Sequence, residues 1–281
     1  MAEEKWVTGE VHLNLKGNPI EMQMTVPATP VKPQRMLPIL QKMTSALVEA
    51  SAEGRNISCK AGCGACCRQP VPISEMEVYQ IAELVESMPE PRRSVIKQRF
   101  ADGVTHFHEI GWFDRMNRKY DGGRPKESID DVRDAQKTVV EYFHEGVPCP
   151  FLEEESCSIH PDRPLACREY LVTSPAENCK SPSAQNIRMV PLWAKPSKAA
   201  KSVGPTGRLQ SAGLLVLIRA LELAEAVPES FEEKTGERWM ADFFSQLTKE
   251  EIPEESPNSA DPERDKMRTK RRHRRHAAAH R

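Results

Sequence analysis

Cys59-Lys60-Ala61-Gly62-Cys63-Gly64-Ala65-Cys66-Cys67-Arg68 places four of the chain's eight cysteines within nine residues, in the order C-x3-C-x2-C-C. Thiolates are soft donors suited to zinc, copper(I) or iron–sulfur clusters. The step from Cys63 to Cys66 is the knuckle spacing that turns two sulfurs toward one ion. Gly62 and Gly64 flank Cys63, where a tight ligand loop favours a residue free to take positive φ.

The other four cysteines form a second group. It runs through Cys149-Pro-Phe-Leu152 and Cys157-Ser-Ile-His-Pro-Asp-Arg-Pro-Leu-Ala-Cys167-Arg168, with Cys179 twelve residues further on. Pro148, Pro150, Pro161 and Pro164 fix φ around these positions, so a rigid irregular loop is expected. The candidate metal ligands are therefore Cys59, Cys63, Cys66, Cys67, Cys149, Cys157, Cys167 and Cys179. Each group of four has the thiolates to close its own four-coordinate site, or the two groups share one; the pattern leaves both open, as it leaves open zinc against an iron–sulfur cluster. Lys60, Arg68, Arg163 and Arg168 stand close enough in sequence to offset the thiolate charge, although Lys60 reads equally well as solvated surface.

Outside these groups the chain is charged and proline-rich: 29% charged, 38% hydrophobic, 23 prolines in 281 residues. That composition suggests a globular centre with long irregular parts. Met1-Ala-Glu-Glu leads into no apolar segment of the signal-peptide kind, and no run reaches the length of a membrane span. The expectation is a cytoplasmic protein with reduced thiols, which disfavours a disulfide framework. The net charge of −1 hides an asymmetry: residues 264–281 carry nine Lys/Arg and one Asp, a local +8 that leaves −9 elsewhere.

The fold class expected is mainly α: an irregular helical domain organised around a cysteine-ligated metal site, with a short N-terminal β-hairpin. Val7, Val11, Leu13 and Leu15, then Ile20, Met22, Met24 and Val26, alternate about a turn at Lys16-Gly-Asn-Pro19. Leu37, Leu40, Met43, Ala46, Leu47 and Ala50 recur at helical spacing from Gln34 to about Ala52, and Gly54 ends that helix. Ser74-Glu-Met-Glu77 and Ser128-Ile-Asp-Asp131 are capping boxes opening two more helices. The first, to about Met88, has Val78, Ile81, Ala82 and Val85 as its apolar stripe. The second buries Val132, Ala135, Val139 and Phe143, with Gly146 after its end. Residues 91–118 read as a helix interrupted near Gly103 or Gly111, and residues 121–125 as a loop. Ala212 to Ile218 reads as buried helix within a helical stretch 211–227. A further stretch, 229–247, has Phe231, Trp239, Phe243 and Phe244 as core. The domain division expected is 1–32 hairpin and connector, 33–182 cysteine-cluster domain, 183–247 helical packing segment and 248–281 disordered tail.

Cys59-x3-Cys63-Gly-x-Cys66-Cys67, Cys149-Pro-Phe-Leu152, Cys157-x-Ile159 and Arg163-Pro164-x-x-Cys167-Arg168 together resemble the YkgJ-type cysteine-cluster family, over roughly residues 55–180. The resemblance implies chelation of zinc or iron. It implies a reaction only weakly, through flagellin lysine methylases that resemble the same domain; no glycine-rich nucleotide loop accompanies it here. Position 160, often tyrosine in that family, is His160, which makes it a candidate extra ligand beside the commoner reading of a solvated loop histidine. Cys179 lies outside the core motif.

The remaining candidates are weaker. His106 and His108 face apart on a helix, Glu153-Glu-Glu155 reads as a solvated turn, and no Ser/His/Asp or Cys/His set is a catalytic candidate. Lys266 to His276 forms a basic arm suited to nonspecific phosphate contact with nucleic acid, without aromatics for base stacking; a solubilising tail is the equal alternative. Three functional classes follow: a metal-binding protein with a structural, storage or transfer role; an iron–sulfur enzyme or enzyme subunit; and a zinc-domain protein that presents a nucleic-acid-binding tail.

Overall fold

The structure, a computed structural model, describes residues 5–117, 120–121, 124–125, 129–183 and 185–249. It is mainly helical. The alternating stretch forms the expected hairpin of β1 (Trp6–Leu15) and β2 (Asn18–Pro27), with Val7 opposite Val26, Val11 opposite Met22 and Leu13 opposite Ile20. The turn is only Lys16-Gly17, both at positive φ (53° and 86°), as a two-residue hairpin turn requires. Asn18 and Pro19, read from sequence as turn residues, already belong to β2.

A connector pinned by a bridge between Val31 and Lys234 leads through a short 3-10 turn into α1 (Leu37–Ala52). The buried face of α1 carries Leu37, Leu40, Met43 and Leu47 as expected, but Val48 takes the place of Ala46, which is exposed. Gly54, at φ 70°, follows the helix end. α2 (Glu75–Glu86) opens on the Ser74/Glu77 capping box and buries Val78, Ile81 and Val85. α3 (Arg92–Glu109) runs unbroken through Gly103, where Ile218 packs so closely that a Cβ would lie 2.6 Å from its Cδ1. The interruption falls at Gly111 (φ 66°), before α4 (Trp112–Asn117).

Where the sequence suggested a loop, Tyr120–Asp121 (β3) pairs with Arg124–Pro125 (β4). α5 (Ile129–His144) follows. Its expected capping residue Ser128 lies outside the described residues, as do the surroundings of Val132 and Ala135. Phe143 is buried, Val139 packs on the core, and Gly146 takes positive φ beyond the helix end. An aromatic core joins α3, α4 and α5: the Phe107 and Tyr142 rings stack at 3.9 Å, and the Trp112 indole donates to the Thr138 carbonyl at 2.8 Å.

The chain then forms the short hairpin β5 (Leu152–Glu153) and β6 (Ser156–Cys157), and α6 (Leu165–Glu169), α7 (Pro196–Ala200) and α8 (Arg208–Ser211). The apolar run from Ala212 is not the expected helix. Its middle lies extended beside residues 71–73, where Ile73 donates to Leu215 and Leu217 to Val71. Only α9 (Ala220–Ala226) is helical beyond the 3-10 turn at Leu217–Arg219. The last helix likewise starts late, as α10 (Gly236–Thr248), with the Thr235 hydroxyl accepting from the Arg238 amide. Phe231, Trp239, Phe243 and Phe244 are buried as expected. α10 packs on the N-terminal hairpin and on α7. Among the described residues, no helix is long and apolar enough to cross a membrane. The basic arm 264–281 lies outside the described residues.

Candidate metal centre

The first cysteine group sits on a loop closed by local bonds. Gly62 takes φ 78°, the Cys63 amide donates to the Lys60 carbonyl at 3.2 Å, and a 3-10 turn at Ala65–Arg68 carries Cys66 and Cys67. Arg68 donates to the Gly64 carbonyl at 3.0 Å and grips Glu155 with both terminal nitrogens, at 3.1 and 2.7 Å. Glu155 is thus no free solvated carboxylate. It ties the β5–β6 turn to the first loop, and the arginine holds its carboxyl below the usual range. Gly64 permits this contact, since a Cβ there would lie 2.6 Å from the Glu155 Oε2.

The second group is held by three helices. Gln41 of α1 donates to the Asp162 carbonyl at 3.1 Å. Arg168 spans Ser45 Oγ (2.9 Å), the Arg163 carbonyl (3.2 Å) and the Pro161 carbonyl. From α2, the fully buried Glu77 accepts from the Leu165 amide at 2.8 Å, fixing the first turn of α6 on which Cys167 rides. The same carboxylate accepts from the Ser74 amide and hydroxyl, so one side chain both caps α2 and positions α6. Glu169 then bonds the Ser197 amide and hydroxyl of α7.

The two groups meet directly: the Cys149 amide donates to the Cys67 carbonyl at 2.7 Å, and Ser58 donates to Val172 at 3.0 Å. Grouping in space differs from grouping along the chain. Cys59 and Cys63 pack with Cys179, Ala65 and Val172. Burial pushes the Cys167 thiol well up, and the neighbouring Cys149, Cys66 and Cys157 add to it. Cys66 lies between the sets. Its thiol is raised first by a hydrogen bond with Cys67, then by burial, and it lies near enough to Cys59, Cys149, Cys157, Cys167 and Cys179 that ionising it would oppose ionising them. Burial lifts Cys149 to about 12 and Cys179 to about 11.

All eight cysteines are free thiols. Among the described residues, no group of three or more His, Cys, Asp or Glu side chains has the geometry to hold a metal ion as it stands. Protonated thiols lack the attraction that would draw them into a shell, and a bound cation reverses this by stabilising the thiolates. The surroundings fit a charged sulfur assembly. The Arg163 guanidinium lowers the thiols of Cys59, Cys66, Cys157 and Cys167, and its Nε is buried without a partner. Gln69, near Tyr170 and the thiols of Cys179, Cys66 and Cys59, leaves its Nε2 buried and without a partner as well. Two orphan donors beside a thiol cluster are what thiolate or sulfide acceptors would satisfy.

The other sequence candidates fall elsewhere. His160 heads an exposed 3-10 turn, and Arg163, then burial, holds its imidazole below the usual value. His106 pairs with Glu145 at 2.8 Å and His108 lies 3.8 Å from Glu222, so the two imidazoles do different things. The role of Glu77 escaped sequence reading, which saw in it only the second half of a capping box. A cleft of about 650 Å³ opens beside the centre, and of the eight cysteines Cys63 alone lines it, with Lys60, Arg68, Glu155, Glu177 and Lys180 around it.

Residues 58–186 match the family model described as "CxxCxxCC: Putative zinc- or iron-chelating domain". No curated protein and no solved structure matches the chain.

Proposed function

We infer that this protein holds zinc or an iron–sulfur cluster through Cys59, Cys63, Cys66, Cys67, Cys149, Cys157, Cys167 and Cys179, a reading supported by the match of residues 58–186 to a zinc- or iron-chelating family model. The observation that carries the reading is the meeting of the two cysteine groups around Cys66, with Cys149 bonded to the Cys67 backbone. The bound group supplies a crosslink between distant segments and, if it is a cluster, a redox centre. The chain's own part is to orient the sulfurs. Glu77, Gln41 and Arg168 hold the 161–168 segment, Arg68 and Glu155 hold the 62–68 loop, and Arg163 and Gln69 offer hydrogen-bond donors to sulfur. A structural, storage or transfer role is the reading that the clustered thiols support most directly. The basic arm 264–281 is a separate proposed element, a nonspecific contact for nucleic-acid phosphates.

Elemental analysis with a visible spectrum on anaerobically purified full-length protein tests this. Stoichiometric zinc without colour, or iron with acid-labile sulfide and a broad visible band, is expected in the wild type and is lost in Cys66→Ser. Free thiols with neither metal would overturn the reading.

A further inference from the structure

The centre has one open side. Cys63 faces the cleft of about 650 Å³, a volume suited to a small molecule, while Cys66, Cys149, Cys157 and Cys167 take no part in its walls. Around it the charges are uneven. Arg68 is committed to Glu155 and to the Gly64 carbonyl. Lys60 and Lys180 are exposed and make no direct ion pair among the described residues, Lys180 acting on Glu155 only at longer range, so two ammonium groups and the Arg68–Glu155 pair share the cleft with one further acid, Glu177. At the lip, a Cβ on Gly62 would meet nothing within 4 Å, so the rim beside Cys63 is open.

We propose that this cleft is the exchange port of the centre and binds a small polycarboxylate, anchored by Lys60 and Lys180, that takes the metal from Cys63 or delivers it there. The inference rests on the metal-binding reading above. A polycarboxylate matches both things the cleft offers: anionic oxygens for two unpaired ammonium groups, and further oxygens able to ligate a metal beside the Cys63 sulfur. With a metal bound, Cys63 would be the sulfur within reach of a carboxylate held in the cleft, and its thiolate, once displaced, would take a proton from solvent. Delivery is the reverse. The other seven cysteines do not line the cleft, which makes Cys63 the first sulfur to exchange there.

The test uses full-length protein carrying its purified metal, with metal content measured first. Metal transfer is followed to nitrilotriacetate, an anionic carboxylate chelator, and to 1,10-phenanthroline, a neutral one, for the wild type and for Lys60→Glu/Lys180→Glu. Transfer to nitrilotriacetate should slow roughly tenfold or more in the variant, in the range by which charge steers small ions, with transfer to phenanthroline unchanged. A loss equal for both chelators, or for neither, overturns the port. Should the variant melt at a different temperature, a potassium chloride series on the wild type decides. Salt must slow transfer to nitrilotriacetate and leave transfer to phenanthroline alone, and salt-blind transfer overturns the proposal. Protein without stoichiometric metal overturns the metal reading and the port together. Metal present with charge-blind transfer overturns the port alone.

Discussion

Arg163 and Glu77 carry the argument at the scale of single residues. Arg163 turns a cationic group toward four thiols and keeps a buried Nε without a partner. Arg163→Met should leave the fold standing and weaken metal retention by about 10- to 100-fold, the usual cost of losing an outer-shell partner; competition with a chromogenic chelator reads it. Glu77 is a buried carboxyl whose pKa burial raises above its ordinary value, while its bonds to Ser74 and Leu165 and the charge of Lys201 oppose that rise. The folded state therefore holds this proton more tightly than the unfolded chain. The burial penalty is absent below the ordinary carboxyl pKa and grows as pH rises through the raised one, so the Glu77 contribution to stability falls with rising pH. Melting curves from pH 4 to 7 should show this fall in the wild type and its loss in Glu77→Gln. That variant should also be about 1–3 kcal/mol less stable near neutral pH, because its amide turns a donor toward the donors of Ser74 or Leu165. The sequence exposed Arg163 through its place between two cysteines. It could not expose the second task of Glu77, because Leu165 lies 88 positions away.

Among the elements, those that announced themselves did so through local chemistry. The hairpin was legible from period-2 alternation, and α2 from a capping box whose bonds are made within four residues. The run from Ala212 to Ile218 was misread because an apolar run has no period of its own. Its conformation is set by the backbone of residues 71–73, which the run itself does not reveal. The start of α10 was missed for a related reason, since Lys234 is taken up in pairing with Val31. Gly236 opens α10 against the end of β2, where a Cβ would lie 2.7 Å from Val26 and 2.8 Å from the Pro27 carbonyl. Both neighbours are rigid. Gly236→Ala should therefore push the hairpin off α10 at a cost of about 1–3 kcal/mol. A lower melting temperature and faster proteolytic cleavage in the 28–32 connector would show it; an unchanged melt would mean the hairpin docks elsewhere.

For the whole molecule, the two cysteine groups were legible in the sequence but their arrangement was not, because Cys179 joins Cys59 and Cys63 across more than a hundred residues. A metal bridging such distant segments contributes folding free energy. Stripping it with a strong chelator should lower the melting temperature and broaden the transition, and restoring the native metal should reverse both. The basic arm makes a separate prediction. Retention on immobilised nucleic acid should fall steeply between about 50 and 200 mM salt and vanish on deletion of 264–281, with metal content unchanged. The long reach from Cys67 to Cys179 also sets a timetable during synthesis. A ribosome adding about 5–20 residues per second leaves the first four thiols waiting roughly 5–20 seconds for their last companion. Through that interval the nascent chain would display only its first group of thiols, open to oxidants and to stray ions, so on the metal-binding reading the supply of metal at the moment of translation would decide how many chains mature.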